Sequence, residues 1–353
     1  MEQLFAIDIP SMTAEHSFLG HGVLAIASCH LSCLTSDESS KAKYTAQGAG
    51  YMNTGIPLYS QVVQKPTQHN TGALFAFACI IVLYTFFSSN QEYEEILMSY
   101  SSAEHYMSHQ YPDPQLTARL TGLVVRLCDS IQGIFRVFWK CQQWVLSSPL
   151  LPAVQRHNTQ RPTERQVLWA RVEDQELAKL ERLWTDGDDI HMVDDSDGVT
   201  GTVTPNRWQQ ALSGALLALR MTAMMVTQLV ILDEDTQQDD PNSFSKAIPA
   251  VNPMETLHRI HRSLSDGRLE DMPSAFTWYV TLSSDFCQLL QEGDFHAMVL
   301  LAHYAIIMDR ACSRKWWVGN IPSHFVATAR LVLGRERESW IQWPLSVVRG
   351  VNR

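Results

Sequence analysis

The sequence predicts an all-α fold, a large multi-helix bundle, and three observations predict it. Large apolar side chains recur at helical spacing through most of the chain. No run of alternating apolar and polar residues is long enough to indicate a strand. Hydrophobic residues make up 45 % of the 353 residues and charged residues only 18 %. A chain with so little charge must bury a large share of its side chains.

The predicted helices follow one another with short interruptions. Residues 71–87 are apolar on every face, which is typical of a central helix. The long helix predicted at 114–147 ends before Pro149 and Pro152, because proline cannot continue a helix. Residues 163–184 alternate in charge and predict an exposed amphipathic helix. The other predicted helices are 18–34, 41–64, 92–109, 205–232, 254–264, 273–290, 295–312 and 322–333.

Two acidic segments interrupt the helical pattern, at residues 186–206 and 233–253. Both lack an apolar period, so we predict surface loops within a single helical domain that spans residues 1–353. The aspartates of the first segment could suggest a magnesium or diphosphate site. They lie in a glycine-containing break rather than on facing helices, which favours a solvated loop.

Charge and the longest apolar run bear on partners and location. With 27 basic against 37 acidic residues the net charge is -10, which argues against direct nucleic-acid binding. The longest uncharged stretch, residues 71–90, includes glycine, cysteine, tyrosine and serine, so we predict a buried helix and no membrane span. No N-terminal signal pattern is present, and seven scattered cysteines without a CxxC indicate reduced core thiols. The predicted location is cytoplasmic.

Signatures of common catalytic and cofactor sites are missing from the sequence. GxSxG, HExxH, the Walker glycine loop and the dinucleotide fingerprint do not occur. His258 and His261 share a helix face without a third ligand nearby, which indicates a basic helix end rather than zinc. Cys29 and Cys33 flank His30 one helical turn apart, and core packing is the simpler interpretation. We therefore predict no metal and no cofactor.

Aromatic and methionine side chains crowd into the C-terminal half. These residue types build both plain cores and adaptable apolar pockets, and composition alone favours a core. His303, in the run LLAHYAIIMD, is the polar exception, which a satisfied core histidine would also explain. The candidate pocket residues are Met221, Met225, Phe276, Trp278, Phe295, Met308, Trp316 and Trp317.

Six sequence blocks, in order, resemble the regulatory domain of fungal sterol-uptake-control zinc-cluster transcription factors. They are FLGHGVLAIASCHLS (18–32), HNTGALFAFACII (69–81), GIFRVFWKCQQWVLSSPLLP (133–152), LLAHYAIIMDR (300–310), WWVGN (316–320) and WIQWPL (340–345). The resemblance implies an all-helical domain whose C-terminal helices enclose an apolar cavity for a sterol. It makes His303, Tyr304 and the tryptophan pair pocket candidates. The family's six-cysteine zinc cluster has no counterpart here, which leaves open a regulator fragment or a stand-alone protein.

The chain is also similar to hetero-Diels–Alderases of tropolone sesquiterpenoid pathways. This similarity implies a stand-alone enzyme of fungal specialised metabolism, in which His303, Tyr304 and Arg310 are the catalytic candidates and Trp278 or Trp317 a further donor. The expected partner is an apolar small molecule, which is a terpenoid, a polyketide-derived compound or a sterol. A homodimer is compatible with this prediction. The alternatives are a sterol- or lipid-sensing regulatory domain, which would be nuclear, and a passive lipid-binding module.

Overall fold

The computed structural model describes residues 7–101, 113–147, 150, 161–185, 207–232, 252–269, 271–312 and 315–348. Within these residues the all-α prediction is confirmed, because helices account for nearly all regular structure. The strands in this part of the chain are two residues each, β1 (Val230–Ile231) and β2 (Arg268–Leu269), and they pair antiparallel. The predicted loops at 186–206 and 233–253 lie almost wholly outside the described residues.

The chain divides into two compact units. The first comprises Met1–Ser108, Leu123–His157 and Cys312–Ile321, and the second His109–Gly122, Asn158–Ala311 and Pro322–Arg353. The N-terminal helices are α1 (Ile9–Glu15), α2 (Ser17–Leu34), α3 (Glu38–Val62), α4 (Thr71–Ser101) and α5 (Pro114–Val145), of which α5 contributes to both units. The later helices are α6 (Glu164–Ala178), α7 (Arg182–Thr185), α8 (Arg207–Leu229), α9 (Pro253–Asp266), α10 (Thr277–Thr281), α11 (Ser284–Glu292), α12 (Phe295–Cys312), α13 (Ile321–Leu333) and α14 (Gln342–Val347).

The core of the first unit is built around the ring of Phe77 in α4, which is fully buried. Phe18 and Tyr59 pack against this ring at centroid distances of 5.4 and 4.9 Å. Glycines let α2 and α3 approach it closely. A Cβ at Gly22 would lie 2.8 Å from the Phe77 ring, and one at Gly55 would lie 3.0 Å from it. Any larger side chain at these two positions would displace the ring.

Helix α4 joins two helices that the sequence pattern predicts separately. The polar residues between 87 and 92 include neither proline nor glycine, so nothing there ends the helix. Asn90, in this stretch, donates to Glu94 Oε1 (3.0 Å) and accepts from the backbone N–H of Asn320 (2.7 Å). Its polarity therefore reflects a contact with the 315–320 turn rather than a break.

Helix α12 is the central element of the second unit, and its bounds agree with the predicted 295–312. All its residues from Ala297 to Cys312 are buried, so neighbouring elements cover it on every side. The helix predicted at 273–290 is instead divided into a 3₁₀ segment, Met272–Phe276, followed by α10 and α11. Leu282 is extended, and the Ser283 hydroxyl caps α11 by accepting from Phe286 N (3.2 Å).

The prediction of no membrane span is wrong. Among the described residues, three helices are long and apolar enough to cross a bilayer, namely α2, residues Thr71–Ser99 of α4, and α8. The expectation of a buried helix without a span rests on the polar residues within the uncharged run at 71–90. A helical span needs about 20 predominantly apolar residues and tolerates such residues. In α4, 56 % of the apolar window is also buried within the protein.

Candidate functional site

The second unit contains a group of buried charged and polar side chains, here termed the ionic cluster: Glu173, Thr227, His261, Asp309 and Arg310. The Arg310 guanidinium pairs through Nη2 with Glu173 Oε1, and both side chains are at most 2 % exposed. Thr227 donates its hydroxyl to the second Glu173 oxygen at 2.8 Å. Arg310 Nε also donates to His261 Nδ1 at 3.0 Å. The cluster therefore links α6, α8, α9 and α12.

The hydrogen bonds of His261 determine its protonation. Because Nδ1 accepts from Arg310, the ring proton is on Nε2, which lies 3.1 Å from Asp309 Oδ2 and 3.3 Å from the Ser265 hydroxyl. Burial lowers the pKa of His261, although the hydrogen bond to Asp309 acts in the opposite direction. A neutral imidazole thus lies between a guanidinium and a carboxylate.

Helix α6, which carries Glu173, begins with a capping box. Thr163 accepts from Gln166 N (3.2 Å) while the Gln166 side chain accepts from Thr163 N (3.0 Å). The same Gln166 donates to the Val230 carbonyl at 2.7 Å. The alternating charges predict an exposed helix, yet Gln166 and Glu173 are 5 % and 1 % exposed. One face of α6 is therefore buried, and it carries these two polar side chains beside apolar ones.

Arg310 is a predicted catalytic residue, and in the structure it lies within the ionic cluster. Two of its nitrogens already donate within the ionic cluster, so those N–H groups are not free for a substrate. Removing an ion such as Arg310 from a buried pair leaves an uncompensated charge. The geometry is that of a group that holds helices together.

His303 is the second predicted catalytic residue, and its ring is oriented by its own helix. Nδ1 donates to the Val299 carbonyl at 2.8 Å, one turn earlier in α12. Burial lowers the pKa of His303 to about 4, so the ring is neutral at pH 7 and Nε2 is its hydrogen-bond acceptor. Trp343 of α14 meets the ring edge-on at a centroid distance of 5.8 Å. Within the described residues, the buried Trp343 Nε1 has no hydrogen-bond acceptor.

Tyr304 and Trp278 form the centre of a fully buried aromatic cluster. Their rings stack at a centroid distance of 4.4 Å. Tyr304 donates its hydroxyl to the Ala275 carbonyl at 2.9 Å, and Met308 Sδ lies 3.1 Å from the same oxygen. Trp278 Nε1 donates to the Ala215 carbonyl at 2.9 Å. Both predicted donors are thus already used by backbone carbonyls.

The remaining predicted pocket residues are more dispersed. Met221 is 56 % exposed, whereas Met225, Phe276 and Phe295 are half-buried. The Arg337 guanidinium lies 4.3 Å from the Phe295 ring centroid. Met308 is buried with the Tyr304 cluster.

Trp316 and Trp317 belong to the first unit, in the turn that follows α12. Trp316 stacks on His30 with centroids 4.8 Å apart, and Trp317 meets Phe86 edge-on at 5.3 Å. These contacts place the tryptophan pair beside α2 and α4. Within this unit both side chains are half-buried.

These sites also contain Glu173, Asp309 and Trp343, none of which is predicted as a site residue from the sequence. A signal exists for Asp309, since an Asp–Arg pair that ends an apolar run is expected to be buried and paired. For Glu173 and Trp343 the sequence carries no comparable signal, because each residue lies among other polar or aromatic residues.

Comparisons with known proteins add no relative: no protein-family model, curated protein or solved structure matches this chain significantly. The family resemblance therefore rests on the sequence blocks alone.

Proposed function

We propose that this chain is a cofactor-free pericyclase of fungal specialised metabolism, of the hetero-Diels–Alder type. It joins a heterodiene, such as a quinone methide, to a terpene alkene. The single observation that carries the proposal is the pairing of His303 with Trp343. Together they offer a fixed acceptor and, among the described residues, a donor without an acceptor, and both side chains belong to residues that are only 5 % exposed.

A hetero-Diels–Alder cycloaddition requires no covalent bond between the substrates and the protein. A C=C–C=O unit and an alkene combine, one C–C and one C–O bond form, and three π bonds become one. No proton or electron leaves the reactants. Holding both partners in a reactive geometry supplies most of the acceleration, about 7–11 kcal/mol in favourable intramolecular cases.

A smaller contribution comes from hydrogen bonding to the heterodiene. The Trp343 N–H can donate to its carbonyl oxygen, which withdraws electron density from the diene and accelerates addition of an electron-rich alkene. Such a donor in a water-excluded site is worth about 2.7–4 kcal/mol. His303 Nε2 accepts from a substrate hydroxyl and fixes its orientation. Tyr304 and Arg310, initially catalytic candidates, act in this proposal as positioning residues that hold α12.

The test is a cycloaddition assay with the purified chain. A reactive heterodiene and an alkene partner are combined with and without protein, and the rate and enantiomeric excess of the adduct are measured. We expect a faster reaction and an excess of one enantiomer. Trp343→Phe should lower the rate about 100-fold, because it removes the N–H donor while an aromatic side chain remains at this position. Trp340→Phe, at a 39 % exposed tryptophan nearby in sequence, is the matched control and should change nothing.

The result also separates the proposal from the sensor alternative. If the adduct forms at the uncatalysed rate and as a racemate for several substrate pairs, the pericyclase proposal is wrong. Saturable binding of a sterol or another lipid without turnover would then favour the regulatory domain that the sequence blocks resemble.

A further inference from the structure

The first unit contains a cluster of potential metal ligands formed by Glu15, His16 and His69. This cluster shares no residue with the His303 site of the second unit. One ligand atom from each lies within 4.8 Å of the other two. His69 Nε2 is 3.2 Å from Glu15 Oε2, and the two imidazole rings meet edge-on with centroids 5.6 Å apart. His69 is far from the other two residues in sequence, so spacing alone does not reveal the cluster.

The backbone around the cluster is well defined. Glu15 ends α1 and His16 is the extended residue between α1 and α2; its N–H donates to Met12 O at 3.0 Å and its carbonyl accepts from Leu19 N at 2.9 Å. The His16 ring also packs on the buried Phe18 at 5.7 Å. These contacts hold two of the three candidate ligands at a helix junction.

The third ligand lies in a turn stabilised by reciprocal hydrogen bonds. Thr67 N donates to Asn70 Oδ1 at 2.7 Å, and Asn70 N donates to Thr67 Oγ1 at 3.2 Å. Asn70 also donates to the Lys65 carbonyl at 3.3 Å. His69 is therefore presented from a turn whose backbone is held on both sides, just before α4.

We propose that this cluster binds a borderline divalent transition metal such as Zn²⁺. Two imidazoles and one carboxylate are ligands that Zn²⁺ prefers, and metal–ligand bonds near 2.1 Å place the ligand atoms about 3.4 Å apart. Glu15 and His69 are 62 % and 74 % exposed, so rotation of these two side chains can bring ligand atoms that lie within 4.8 Å of one another to that spacing. Solvent completes the coordination. Hard Mg²⁺ is a poor match, because it prefers oxygen ligands.

The consequence for the protein is a link between α1 and the turn before α4. Helix α1 has seven residues and buries none of them fully, so its own packing is weak. A metal bound to Glu15, His16 and His69 must be released before α1 can separate from α4. Binding should therefore protect α1 from local opening, by a factor that grows with metal concentration.

The experiment titrates the metal-free full-length chain with ZnCl₂ in a calorimeter and repeats the titration with MgCl₂. We expect one saturable Zn²⁺ site and no comparable Mg²⁺ binding. Glu15→Gln and His69→Gln should each weaken Zn²⁺ binding at least tenfold, since loss of an outer-shell partner alone typically costs about 10–100-fold. His30→Gln, at another exposed histidine of the same unit, is the matched control.

Hydrogen exchange supplies a second measurement that does not depend on any catalytic activity. With Zn²⁺ at 100 times its dissociation constant, exchange of amides in α1 should slow by up to about 100-fold, and His69→Gln should abolish the effect. The proposal is overturned by any of three results: no saturable Zn²⁺ binding, Zn²⁺ binding by Glu15→Gln and His69→Gln that is as tight as binding by the unaltered chain, or weakening by His30→Gln that equals theirs. None of these results depends on whether the cycloaddition occurs.

Discussion

The two compact units differ in what they bury. Among the described residues, the buried polar side chains of the first unit are hydroxyls, such as Thr71, Thr85 and Ser89. The second unit buries carboxylates, a guanidinium and three imidazoles. The aromatic core around Phe77 thus contrasts with a core that contains the ionic cluster.

The two units are therefore stabilised by different kinds of interaction. Apolar packing stabilises the first unit in proportion to buried area, and pH has little influence on it. Buried ions are stabilising only while every partner is present, because the desolvation cost of each is already incurred. The second unit should therefore respond strongly to single charge removals and to acid.

The largest effect should follow from breaking the Arg310–Glu173 pair. Arg310→Leu leaves Glu173 buried and uncompensated, which should cost about 3–5 kcal/mol in the free energy of unfolding. Urea unfolding, read by hydrogen exchange in α6 and α12, measures the loss. Adding Glu173→Leu should recover most of it, because the remaining charge disappears. A double variant that is no more stable than Arg310→Leu would show that the side chains act through packing instead.

The next effect is a pH dependence confined to the second unit. Burial lowers the pKa values of His303 and His324 to about 4, and it also lowers that of His261. A histidine with a depressed pKa binds more protons unfolded than folded, so stability falls as pH drops from 6.5 towards 4. Each of His303 and His324 can contribute about 3 kcal/mol over this window.

The measurement is the free energy of unfolding at several pH values between 7 and 4. Staying above pH 4 also limits the contribution of Asp294. Burial acts to raise the pKa of this carboxyl, but its hydrogen bonds with His296 and Ala297 have the larger combined effect and lower the pKa below its ordinary value. His303→Leu should flatten the profile, whereas Phe77→Leu in the first unit should lower stability equally at all pH values. An unchanged slope in His303→Leu would contradict the assignment.

The smallest effect concerns the capping box at the start of α6. Thr163→Ala removes one half of the capping box and should cost about 1 kcal/mol. Thermal unfolding of Thr163→Ala and Thr163→Ser distinguishes the contribution of the Thr163 hydroxyl to stability from that of its methyl group. The serine variant keeps the hydroxyl and should retain most of the stability. Equal losses in both variants would mean that the hydroxyl is not what stabilises the helix.

Several elements were predictable from the sequence because their signals are local. The bounds of α12 and the start of α5 at Pro114 follow from apolar periodicity and proline. The merger of two predicted helices into α4 and the division at Leu282 were not predictable. In both cases a tertiary contact or a single extended residue overrides a weak local preference.

For the site, the sequence by itself identified which residue types were unusual: His303 and Arg310 in an apolar run, and the aromatic cluster around Trp278 and Tyr304. Only the tertiary structure decided what those side chains do. Tyr304 donates to Ala275, and Arg310 is held between Glu173 and His261, from helices distant in sequence. Periodicity reports which face of a helix is buried, because that depends on neighbours three and four residues away. Hydrogen-bond partners depend on which helices meet, and no local pattern encodes that choice.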